Sequence, residues 1–186
     1  MLYTIEFLGA VVGPAKANGA RWDGVGHVDP AAMGELSTLL IGANPLPAVT
    51  AFVARQAASG TEPPDPFGYV VPMSSEGAPP WKLSLASKQN NRHDTFTPVF
   101  SGPPAFVGVP LDPSVRIRVV LYDEDVDASD AIGVAELTYS DLMGAVAAGT
   151  VVPVNVSAQT ANQLLFVNIS VRETPSVEPR VVGETF

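Results

Sequence analysis

Val115-Arg-Ile-Arg-Val-Val-Leu-Tyr-Asp-Glu-Asp-Val-Asp-Ala-Ser-Asp-Ala-Ile-Gly-Val-Ala-Glu-Leu-Thr138 is the stretch that decides the fold. Residues 115–122 and 132–138 have the β-branched composition of strands, and an acidic run, Asp123 to Asp130, joins them directly. Working outward, further strands are expected at 2–8, 67–73, 81–87, 96–108 (broken by Gly-Pro-Pro), 150–156 and 163–171. The first of these alternates strictly, with Tyr3, Ile5 and Phe7 against Leu2, Thr4, Glu6 and Leu8, the period of a half-buried strand. Eight strands separated by turn signals predict an all-β chain, an eight-stranded antiparallel β-sandwich. Helical patterns interrupt it at 31–41 and 47–58, the second opening on Pro47, and at 139–148, which begins with a Ser or Asp cap. Residues 13–30 are loop by composition, and 174–186 form a tail without a pattern.

The composition supports that architecture. A chain of 186 residues is expected to form a single domain over 1–173 and needs no staple to bury a core. It is 46% hydrophobic and only 16% charged, with 18 Pro and 16 Gly, which suits many turns better than a helix bundle. Zero cysteines exclude disulfides, thiolate metal sites and cysteine nucleophiles, and fit a reducing, cytoplasmic compartment. A net charge of −9 argues against nucleic acid, which needs Lys and Arg on its phosphates, and repels an anionic membrane unless its sign is inverted locally. The longest apolar region, Leu39 to Ala54, is interrupted by Asn44, Pro45 and Pro47 and does not read as a membrane span. No basic residue precedes the apolar start at Met1–Gly9, so it reads as a strand and not as a secretory signal.

Catalytic templates fail: no nucleophile elbow, phosphate-binding loop or zinc-protease helix is present, and His27 and His93 read as solvated loop residues. The chain is therefore expected not to be an enzyme. What stands out is the placing of aspartate. Of ten Asp, eight (23, 29, 65, 94, 123, 125, 127 and 130) fall in or beside three loops, whereas the nine Glu are scattered. Short carboxylates gathered on loops suit a hard cation such as Ca²⁺, which takes six to eight oxygens at about 2.3–2.6 Å. An EF-hand is rejected, because Ala128 stands where its Gly belongs, Val134 where its Glu belongs, and the flanks are strands.

A strand running into such an aspartate loop resembles the C2 domain family of calcium- and phospholipid-binding sandwiches. The residues that carry the resemblance are Arg116-Ile-Arg-Val-Val-Leu-Tyr-Asp-Glu-Asp followed by Asp130-Ala-Ile-Gly, and Asp94-Thr-Phe-Thr-Pro-Val-Phe100. The ending Gln163-Leu-Leu-Phe-Val-Asn-Ile-Ser-Val resembles the last strand of the phospholipase C version, which implies the type II topology. Carried over by position, the resemblance implies third-loop Ca²⁺ ligands at Asp123, Asp125 and Asp130, a second-loop ligand at Asp94 and a first-loop ligand at Asp23. The other first-loop ligand is Asp29 or Asp65: Asp29-Pro30 has the family's spacing, while Asp65-Pro66 is followed by a strand, as the family's Asp-Pro is.

The resemblance implies a non-catalytic module that binds anionic phospholipid through Ca²⁺ and associates peripherally with membranes. Its alternative is a protein–protein assembly or scaffold domain in which calcium is structural or absent. Lys82, Lys88 and Arg92 form a minor basic group that reads as a solvated strand face. Residues 30–64 depart from the family as a helical insertion in or beside the first loop. Their apolar side chains (Met33, Leu36, Leu39, Leu40, Ile41, Leu46, Val49, Phe52 and Val53) require a cover, whether the sandwich itself, lipid, or a protein partner or second copy, which the tail could also engage.

Overall fold

A computed structural model describes residues 1–23, 25–73, 82–86, 94–100, 102–125, 129–159, 163–175 and 178–185. The chain runs β1 (Leu2–Val12), α1 (Pro30–Leu40), α2 (Pro45–Ala58), β2 (Pro66–Pro72), β3 (Leu83–Ala86), β4 (Ala105–Pro110) and β5 (Arg116–Asp123). It continues through β6 (Asp130–Thr138), α3 (Tyr139–Ala148), β7 (Val152–Asn155), β8 (Leu164–Thr174) and β9 (Arg180–Val182). One sheet has the order β7-β8-β1-β4-β9 and the other β3-β2-β5-β6, with every pairing antiparallel. This is the antiparallel sandwich expected from the sequence.

Two differences from expectation have physical causes. β1 runs on to Val12 because it is held on both sides: β8 pairs along its whole length, and Val12 and Ala10 donate to the carbonyls of Phe96 and Pro98 at 2.8 and 3.0 Å. The tail also carries structure. β9 pairs with β4 and forms the edge of its sheet, and the Glu184 carbonyl accepts from Ser84 N at 2.8 Å, so residues 180–184 link the edges of both sheets. A three-residue strand has too little periodicity to be seen in a sequence. Expected features at Trp81, Lys88, Arg92, His93, Asp127 and Phe186 lie outside the described residues.

The sandwich interior draws on both sheets, with Ile5, Phe7 and Phe166 from one and Val70, Ile117 and Leu121 from the other, all nearly inaccessible. Phe7 and Phe106 meet edge to face, centroids 5.8 Å apart. β2 and β5 approach so closely at Gly68 that a Cβ there would stand 1.9 Å from the Val120 carbonyl oxygen, which leaves glycine as the residue that fits. That approach brings Pro66 opposite Asp123, while Asp123 pairs with Asp130 on its other side, so the starts of β2 and β6 lie beside the end of β5.

The helices between β1 and β2 are started by local chemistry. An Asp29 side-chain oxygen accepts from Ala31 N at 2.9 Å as the cap of α1, and each helix has Pro in its first turn. Leu36, Val49, Phe52 and Val53 are buried in the core, with Met33, Leu39, Leu40 and Leu46 packed against it. The domain's own core therefore covers most of this apolar set. Ile41, in the connection between the helices, is the exception at 86% exposed. α3 has the expected span, but its cap is Thr138 and not the expected Ser or Asp: the Thr138 and Asp141 side chains accept from each other's backbone N–H.

Replacing Phe52 by Ala will therefore cost about 3–5 kcal/mol of stability, the usual cost of emptying a buried aromatic position. Chemical denaturation measures it; a loss below about 1 kcal/mol would mean that α2 is not part of the core.

Candidate metal centre

The first loop is a braced structure and not a slack connection. After β1, the Trp22 indole Nε1 donates to the Gly13 carbonyl at 2.9 Å, and its ring is 2% exposed. Around this anchor, Lys16 N donates to Ala20 O, Gly19 N to Lys16 O, and Val28 N to Gly19 O, while Ala20 bridges His27. The sequence 13–30 lacks periodicity, yet these bonds fix the backbone on both sides of Lys16 and immediately before Asp23.

Asp65, at the entry to β2, ties the other loops together. Its N–H donates to Asp123 Oδ1 at 2.7 Å, its carbonyl accepts from Glu124 N at 3.1 Å, and its Oδ1 accepts from Asp94 N at 2.6 Å. Asp94 holds a left-handed backbone, φ 52°, which Asp tolerates better than most residues.

One carboxylate oxygen from each of Asp23, Asp123 and Asp125 lies within 4.8 Å of the other two. Asp123 is 1% exposed, and its Oδ2 has no hydrogen-bond partner among the described residues. A buried, unpartnered carboxylate oxygen is costly, and burial pushes the Asp123 carboxyl up to about 6. The Asp65 N–H works against that rise; Asp125 and Asp23 add to it by repulsion. Burial and then neighbouring carboxylates also raise Asp23, and burial raises Asp125 despite the opposing field of Lys16.

Lys16 is the one cation this cluster holds among the described residues. Its Nζ pairs with Asp130 Oδ2 and lies 6.0 Å from the centre of the Trp22 ring. Burial disfavours its charge, but the bond to Asp130 and the fields of Asp130, Asp125 and Asp123 hold the ammonium above its ordinary range. The sequence reading missed Lys16. The available signal was a lone Lys between the first strand and Asp23 in a chain with 10 cations.

The seven aspartates singled out in the sequence thus take different places. Asp23, Asp123 and Asp125 converge; Asp65 joins them through its backbone N–H on Asp123, Asp94 through its N–H on Asp65, and Asp130 through Lys16. Asp29 is exposed and occupied as the cap of α1, whereas Asp65 meets the cluster through its backbone N–H on Asp123. The donor set is all oxygen, with a buried unpartnered acceptor, which fits a hard divalent cation.

Asp123→Asn keeps the oxygen that accepts from Asp65 and removes the buried charge. The wild-type carboxyl has its folded pKa raised from 3.8 to about 6, so its favourable contribution is full below 3.8 and lost as pH rises through about 6. The metal-free variant should therefore melt above wild type by roughly 2–4 °C at pH 7.5, with the gap closing toward pH 4. A gap independent of pH would show that Asp123 carries no such cost.

No protein-family model matches the chain, and no curated protein matches it. Among solved structures, the first C2 domain of plant extended synaptotagmin 1 is similar at 13% identity and TM-score 0.48, over 95% of this chain and 96% of that one. Human GIVD cytosolic phospholipase A2 is similar at 16% identity and TM-score 0.48 over 92% of this chain. The same enzyme in complex with methyl γ-linolenyl fluorophosphonate and terbium chloride gives 15% and 0.47 over the same share. The chain spans only 16–17% of that phospholipase's length. Likeness at these scores decides nothing about the site. The described residues themselves show a two-sheet antiparallel sandwich with the strand–aspartate stretch at one end of β5.

Proposed function

We propose that this chain is a non-catalytic, calcium-dependent phospholipid-binding module of the C2 type. The observation that carries the reading is the convergence of Asp23, Asp123 and Asp125 around a buried Asp123 whose Oδ2 has no partner among the described residues. These three would hold Ca²⁺, with Asp65, Asp94 and Asp130 adjoining. When bound, the ion supplies positive charge and coordination positions open to lipid phosphate oxygens.

The chain's own residues supply preorganisation. Asp65 N–H fixes one Asp123 oxygen, and the Trp22 anchor fixes the backbone beside Asp23. Without a cation, the clustered carboxylates and the net charge of −9 repel an anionic surface. The lipid contact is thereby made conditional. Among the described residues no helix is long and apolar enough to cross a membrane, so attachment of the described part rests on its surface.

One observation favours the second reading, an assembly domain in which calcium is structural or absent. Lys16 already neutralises Asp130, so part of the cluster's charge is balanced from within. Sedimentation with phosphatidylserine–phosphatidylcholine vesicles separates the two readings. The leading reading predicts binding in Ca²⁺, release by chelator, weakening with salt, and a loss of about tenfold or more in Asp123→Asn/Asp125→Asn. Equal binding with and without chelator, or none in either, transfers the assignment to the assembly reading.

A further inference from the structure

We propose that Lys16 is a tethered cation that competes with Ca²⁺ for the acidic cluster and so sets the calcium concentration at which the site fills. The inference rests on the calcium reading above and adds a regulator that the ligand set does not contain.

Three observations place Lys16 in that role. Its Nζ is paired with Asp130 Oδ2, and Asp130 stands opposite Asp123 in the β5–β6 ladder, so the ammonium sits at the border of the Asp23–Asp123–Asp125 cluster. It is held there and does not merely wander in: its own N–H and carbonyl are bonded to Ala20 and Gly19, and Trp22 flanks its side chain. The pair is also easy to break. The Lys16 and Asp130 side chains are 26% and 48% exposed, and ion pairs with that much access to water contribute little stability.

A divalent ion at the three converging carboxylates would face the ammonium across a short distance. Like charges repel there, and the repulsion grows as water is excluded. Filling the site therefore requires the Lys16 side chain to swing toward solvent, which its partial exposure allows, and that movement frees Asp130 to serve the ion. The metal-free cluster keeps an internal counter-charge, and the calcium affinity is weaker than the same aspartates would give alone.

The test is calorimetric titration of the whole chain with Ca²⁺ alone, comparing wild type, Lys16→Met, Lys16→Gln and Lys16→Arg. The two neutral variants should bind about tenfold more tightly, by removal of a unit charge beside the ion. Lys16→Arg, which keeps the charge, should stay close to wild type. Should Lys16→Met fail to fold, Lys16→Gln carries the comparison, since it retains a donor for Asp130. Calcium binding by the neutral variants and not by wild type also supports the inference, while limiting the native chain to the assembly reading. Equal affinities in all four proteins overturn the inference and leave the calcium reading standing. Absence of binding in all four overturns both.

Discussion

The hydrogen bond from Asp65 N–H to Asp123 Oδ1 is the interaction on which the rest of this structure depends. It joins the start of β2 to the end of β5, and the same Asp65 residue holds Glu124 by its carbonyl and Asp94 by its side chain. Three loops distant in sequence are thereby drawn to one place. The bond also uses only one oxygen of a nearly inaccessible carboxylate, and the other has no partner among the described residues. A fold that stabilised only itself would place an amide or an apolar side chain there, since a buried unpaired acceptor is a net cost.

That cost is intelligible as the price of a site. Burial and mutual repulsion raise Asp23, Asp123 and Asp125 together, which is how carboxylates behave when gathered without a cation to neutralise them. The chain relieves part of the strain with Lys16. On the proposed reading a divalent ion would be a second way to balance the cluster, and its contest with the ammonium would link the packing of the first loop to ligand affinity.

How much of this was legible in the sequence follows from what each feature rests on. The strands at 2–8, 115–122 and 132–138 were readable because alternation and β-branched composition are local properties. So were the two helices, the first through the spacing of Met33, Leu36 and Leu40 and the second through Pro47 near its start. β9 was not readable, because its three residues are a strand only by virtue of the β4 edge they meet. The aspartate loop after β5 was legible as chemistry, since its residues are contiguous. The different places of Asp29 and Asp65 were not, because the contact that sets them apart, Asp65 N–H on Asp123 at 2.7 Å, joins residues distant in sequence. The pairing of Lys16 was hidden for the same reason, although its place before Asp23 was in view: its partner lies 114 residues away. The helical insertion's apolar residues announced a need for cover, but only packing shows that Leu36, Val49, Phe52 and Val53 enter the core while Ile41 stays outside.

The central claim is that the convergent aspartates form a cation site completed from outside the chain. A crystal structure of the protein grown in Ca²⁺ tests it most directly. The account predicts an ion held by oxygens of Asp23, Asp123 and Asp125 at about 2.3–2.6 Å, with Asp123 Oδ2 among its ligands and Lys16 turned away from Asp130. Calcium absent from the cluster at saturating concentration, with Asp123 Oδ2 still unpartnered and Lys16 still on Asp130, would contradict it.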